Sequence, residues 1–158
     1  MSRRFIHVVG IATVAIVASA LPATAQQKAN EFVQHNLVSD VPGLAAVADD
    51  SLQNPWGLAQ GPTTPVWVAD NGTNVATLYS GDGVGGPVSK LGLTVSIPGD
   101  GPTGQVFNST SGFVVSDGAG HSGPAVFIFD SESGDITGWN PAVPPPPFST
   151  HAQLGTHV

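Results

Sequence analysis

Two aspartates, Asp70 and Asp117, stand 47 residues apart, each closing a short apolar run: Val66-Trp67-Val68-Ala69 and Phe113-Val114-Val115-Ser116. With Asn54 and Asn108 they are the oxygen-bearing side chains that could gather around calcium or another divalent ion, which takes oxygen ligands. A repeated aspartate has a second use, accepting backbone N–H bonds in the turn after its strand. Recurrence favours that structural use, because a single axial metal site draws different groups from different repeats. No catalytic residue and no resident cofactor is expected, and a divalent metal is the one ion these four residues would suit.

Other chemistry-bearing patterns fail on their surroundings. Gly81/Gly83/Gly86 and Gly118/Gly120/Gly123 match Gly-x-Gly-x-x-Gly. A dinucleotide site needs a helix to open at the third glycine; Pro87 and Pro124 follow instead, so both read as loops. Gly120-His121-Ser122-Gly123-Pro124 approaches a nucleophile elbow, but proline occupies the last glycine position and no helix follows. Asp130 to Asp135 is similar to a calcium loop, yet Pro141 stands where the bidentate glutamate belongs. That segment reads as a hairpin turn. His35 and His121 have no partner at zinc-like spacing, and the chain contains no cysteine to supply a thiolate or a disulfide.

The elements that would carry these residues follow from a repeat. Pro55 and Pro102, Gly57 and Gly104, and Asp70 and Asp117 are each 47 apart, within the range of propeller blades. Apolar runs place four strands in the first repeat, at 57–59, 66–69, 76–79 and 93–97. The second repeat offers 104–107, 113–116, 125–129 and 136–139. Asp70-Asn71-Gly72, Gly81 to Gly86 and Ser133-Gly134-Asp135 supply the turns. With 20 Gly and 14 Pro in 158 residues and only 9% charged, short strands and turns are favoured over solvated helices. The predicted fold is all-β, with four-stranded propeller-type blades, and Trp56 and Trp67 are expected to pack between them. A β-sandwich is the lesser option.

Glu31 to Asp40, Asn54-Pro55-Trp56-Gly57-Leu58 and Gly138-Trp139-Asn140-Pro141 resemble an uncharacterised family of exported bacterial β-propellers with NHL-like blades, some of which carry PEP-CTERM sorting tails. The resemblance spans about Asn30 to Pro141 and implies two blades of a six-bladed ring, with Phe32–Val38 as the ring-closing strand. It brings no established activity. Some NHL-like propellers are metal-dependent lyases or lactonases, which is the enzymatic alternative. A non-catalytic protein binding a small molecule or a protein is the preferred reading.

Arg3-Arg4, the uncharged run Val8–Leu21 and Ala23-Thr24-Ala25 form an export leader, residues 1–25, with a partial twin-arginine match. Export to the periplasm or beyond is expected, with no stable membrane span once the leader is removed. The remaining chain keeps Lys28 and Lys90 against eleven acids, a formal charge of −9, which disfavours nucleic acid. Residues 26–51 form an N-terminal segment and 52–141 the two blades. Residues 142–158 read as a Pro-rich, disordered or aberrant tail, as a shifted frame or gene fragment would leave; a ring assembled from several short chains is the runner-up. Uncovered end blades should make residues 26–158 prone to association.

Overall fold

The computed structural model describes residues 32–81 and 86–157. The expected leader and part of the Gly81–Gly86 loop lie outside the described residues. Gln34–Val158 is a compact unit separate from Met1–Val33, and it carries the strands below. They begin with β1 (Val38–Ser39) and β2 (Val47–Ala48), a short parallel pair. Phe32–Val38 was expected to be a ring-closing strand; only Val38 within it is extended into a ladder, and its partner is the neighbouring Val47.

The first large sheet is an antiparallel meander of β3 (Pro55–Gln60), β4 (Val66–Asp70), β5 (Val75–Ser80) and β6 (Ser89–Ser96). These are the four strands the first repeat predicts. Alternation divides them by face. Trp67, Ala69, Ala76 and Leu78 point to one side and are buried; Val68, Asp70, Thr77 and Tyr79 point to the other. A 3-10 turn over Asn71–Thr73 joins β4 to β5, and Asn74 closes it in the left-handed region at φ 56°.

The second large sheet departs from prediction. Its order is β7 (Pro102–Phe107), β10 (Phe127–Ser131), β11 (Asp135–Trp139) and β12 (Gln153–His157). The run 113–116 was expected as its second strand. It instead forms β8 (Val114–Ser116), paired only with β9 (Ser122–Pro124) in a separate hairpin. In β8 only Val115 is buried, whereas β10 buries both Phe127 and Phe129. Each such aromatic gains about 1.5–3 kcal/mol on burial, so β10 wins the place beside β7. Strand β12 comes from the segment expected to be a disordered tail. The chain returns after Pro144–Pro147 because Ala152 is core, its N–H donates to Ser96 O at 2.9 Å, and Trp139 Nε1 donates to Ser149 O at 2.7 Å.

The two sheets stack face to face. Trp67 lies against Phe127 with ring centroids 4.3 Å apart and against Trp139 at 4.9 Å, and Val95, Ile97 and Phe129 complete the core. Gly57 on β3 lies close to the β7 backbone, and Gln105 Nε2 spans the seam to Gly57 O at 2.9 Å and Trp67 O at 2.6 Å. The β8–β9 hairpin covers the outer side of the second sheet through Val115, Ala125 and Val143, packed with Phe113 and Ile128. The described residues are therefore all-β, with two antiparallel four-stranded sheets, neither closed on itself. Among them no helix is long and apolar enough to cross a membrane.

Candidate functional site

The four residues singled out for metal binding are all engaged, and they do not converge. Asn54, at φ 48°, donates Nδ2 to Asn71 Oδ1 at 3.0 Å across the entry to β3. Asn108 ties its loop to the hairpin, donating to Gly112 O at 3.1 Å and Ala125 O at 2.9 Å. Asp117 accepts from the backbone N–H of Ala119 at 2.8 Å and of His121 at 3.1 Å, and its other oxygen meets His121 Nδ1 at 2.6 Å. Desolvation works against its ionisation, but these hydrogen bonds outweigh it and hold the carboxyl below its usual range. Asp117 thus has the turn-bracing role expected of a repeated aspartate.

Asp70 does not. It precedes the 3-10 turn yet makes no side-chain capping bond to it. Its equivalence with Asp117 fails in the ladders: Pro55 pairs with Asp70, whereas Pro102 pairs with Ser131. Ser131 lies 61 residues beyond Asp70 rather than 47, because the β8–β9 hairpin is inserted between. The two aspartates sit on opposite outer sides of the stack. Among the described residues no group of three or more His, Asp or Glu side chains is placed to hold a metal ion.

Asp70 belongs instead to a buried polar chain. Its Oδ2 lies 2.7 Å from Thr77 Oγ1, Thr77 Oγ1 lies 3.0 Å from the Tyr79 hydroxyl, and that hydroxyl donates to Asp49 Oδ2 at 2.5 Å. Lys90 Nζ closes the chain on Asp49 Oδ1 at 2.6 Å. Burial pushes the Asp70 carboxyl up to about 7, and the Thr77 hydroxyl offsets this only in part. For Asp49, burial acts upward, but hydrogen bonds from Lys90 and Tyr79 prevail and hold it low. Burial and the Asp49 contact keep the Tyr79 phenol above its ordinary value. Sequence reasoning passed over Asp49, Tyr79 and Lys90; Tyr79 is the single tyrosine and Lys90 one of two lysines beyond the leader, and that rarity was the available signal.

Beside this chain, on the same face of the first sheet, opens a cleft of about 650 Å³. Val66, Val68 and Tyr79 form its floor and Trp56 and Leu58 one wall, while Leu37 and Val38 of the N-terminal segment form the other. Trp56 was expected between blades; it is 60% exposed here, and Leu58 is 70% exposed. Of these two tryptophans, Trp67 alone lies between the sheets. The described residues lining the cleft include no Asp, Glu, Lys or Arg. Comparison with protein-family models, curated proteins and solved structures returned no match.

Proposed function

We propose that this chain is an exported binding protein built from propeller-type, NHL-like blades, and that it holds a small, uncharged, largely apolar molecule in the cleft on the outer face of its first sheet. The cleft carries the reading. Its volume falls in the range of about 300–1,000 Å³ typical of small-molecule sites, which are mostly apolar with a few polar groups. A charged ligand would lose its hydration there without meeting an Asp, Glu, Lys or Arg among the described lining residues.

The register supports blades. On β7, Thr103, Gln105 and Phe107 share the face that carries Phe127 and Phe129 and meets the first sheet. By the 47-residue offset they correspond to Trp56, Leu58 and Gln60 of β3, whose face opens on the cleft. Each sheet thus offers the same face in the same direction, as successive blades do. The resemblance to exported propellers with NHL-like blades implies the same arrangement.

A titration with the neutral fluorescent probe N-phenyl-1-naphthylamine tests the binding reading. Saturable one-to-one binding is expected, weakened about tenfold, or about 1.4 kcal/mol, by Trp56→Ala. No saturation, or binding indifferent to both Trp56→Ala and Leu58→Ser, would rule out the cleft as the site.

A further inference from the structure

We propose that Asp70 is a neutral carboxylic acid in the native protein, the proton donor at the head of a hydrogen-bond chain that clamps the N-terminal segment over the cleft, and that its ionisation loosens that clamp. The inference goes beyond binding: it rests on the cleft's geometry and holds whether or not a ligand enters.

A count of protons carries it. The chain has three oxygen–oxygen links: Asp70 to Thr77, Thr77 to Tyr79, and Tyr79 to Asp49. Each link needs one hydrogen. The Thr77 hydroxyl and the Tyr79 phenol supply two, and Asp49, paired with Lys90, is ionised and supplies none. The third must sit on Asp70 Oδ2, which then donates to Thr77, which donates to Tyr79, which donates to Asp49. An ionised Asp70 would leave one link empty.

The other Asp70 oxygen points the same way. Oδ1 is fully buried and, among the described residues, has no hydrogen-bond partner. A carbonyl oxygen tolerates that position at modest cost, whereas half of a carboxylate charge does not. The charged and titratable groups near Asp70 are Asp49 from the N-terminal segment, Lys90 from β6 and Tyr79 from β5. Glu132 accepts from Asn71, the next residue, at 2.9 Å. Lys90 is already committed to Asp49 and offsets the burial of Asp70 only in part, so ionising Asp70 adds a like charge near Asp49 with no further cation among the described residues to take it up.

Asp49 is where the clamp acts. Among the described residues, the hydrogen bonds of residues 34–48 stay within the segment: Asn36 to Leu44, and Val47 N and Asp49 N to the carbonyls of Leu37 and Ser39. Asp49 ties that unit to the first sheet through Tyr79 and Lys90. Weakening this tie frees the wall of the cleft that carries Leu37 and Val38. The proton released passes to solvent.

Because Tyr79 is the only tyrosine, a 13C label on the tyrosine ring carbon bearing the hydroxyl gives one NMR signal that reads the chain directly. That signal should shift between pH 5 and 8.5 with a midpoint near 7. Over the same range the exchange protection of the Val47 and Asp49 amides, corrected for intrinsic rates, should fall at least tenfold. Asp70→Asn should flatten both, its amide donating to Thr77 without titrating. If that variant does not fold, Thr77→Val cuts the chain and must abolish the Tyr79 transition. A wild-type signal that stays constant from pH 5 to 8.5, or a transition that survives Asp70→Asn or Thr77→Val, overturns the proposal. Tyr79 titration with unchanged amide protection would overturn the clamp.

Discussion

Gly57 and Gly104 occupy the same place in the repeat, yet the structure predicts opposite responses to alanine. A Cβ on Gly57 would lie 2.5 Å from Thr103 O, 3.0 Å from Gln105 N and 3.2 Å from Gly104 C, all backbone atoms of β7. None can rotate away, so β3 and β7 must separate by several tenths of an ångström. Overpacking of this kind costs about 1–3 kcal/mol. The separation also stretches the two bonds from Gln105 Nε2 to Gly57 O and Trp67 O, each worth about 1 kcal/mol. The total for Gly57→Ala is about 2–4 kcal/mol, a large part of the 5–15 kcal/mol that holds an ordinary domain. A Cβ on Gly104 meets only Asp130 Cβ, at 3.9 Å. Gly104→Ala should therefore stay within about 0.5 kcal/mol of wild type or gain slightly from reduced backbone freedom in the unfolded chain. Urea unfolding followed by tryptophan fluorescence measures both. A Gly57→Ala protein as stable as wild type, or a Gly104→Ala protein equally damaged, would refute the close approach of β3 and β7.

Three further outcomes follow from the packing and the buried acid. The native Asp70 keeps its proton to about pH 7 while the unfolded one loses it near 3.8, so unfolding releases a proton between these values and stability falls as pH rises. The slope is about 1.4 kcal/mol per pH unit, approaching about 4 kcal/mol in all; urea midpoints from pH 4.5 to 8 should show it in wild type and lose it in Asp70→Asn. Trp67→Ala removes the ring stacked on Phe127 and should cost about 3–5 kcal/mol, seen as loss of a cooperative melt. Deleting residues 149–158 removes β12, the Ala152 contact and the carbonyl that accepts Trp139 Nε1; three hydrogen bonds near that joint at about 1 kcal/mol each set the minimum loss, and differential scanning calorimetry reads it.

Much of the strand pattern was legible, for physical reasons visible in single residues. Val66 to Ala69 is an unbroken apolar, β-branched and aromatic run that ends at a turn, and Ser133-Gly134-Asp135 provides the β10–β11 reversal, with Gly134 at φ 85°. What the sequence hid was partner choice. Val114-Val115 has strand composition, but one inward valine could not compete with Phe127 and Phe129 for the place beside β7. That displacement also made the 47-residue spacing of Asp70 and Asp117 a coincidence of the inserted hairpin, while the spacing of the prolines and glycines marks true equivalents. Strand β12 was hidden by the prolines before it, since nothing local announces that Ala152 will pair with Ser96. The buried chain was hidden because Asp49, Thr77, Tyr79 and Lys90 meet only after β5, β6 and the N-terminal segment are brought together. The two outer faces, expected to be bare, are largely covered by residues 34–54 and by the β8–β9 hairpin, leaving Trp56 and Leu58 as the prominent exposed apolar pair at the cleft.

Two four-stranded sheets stack through Trp67, with the β8–β9 hairpin outside them. Cross-strand nuclear Overhauser contacts in isotopically labelled protein read this arrangement strand by strand. Val106 should lie beside Ile128, Thr137 beside Leu154, and the Trp67 ring against Phe127. Contacts pairing Val106 with Val115, and none from β11 to Gln153–His157, would contradict it.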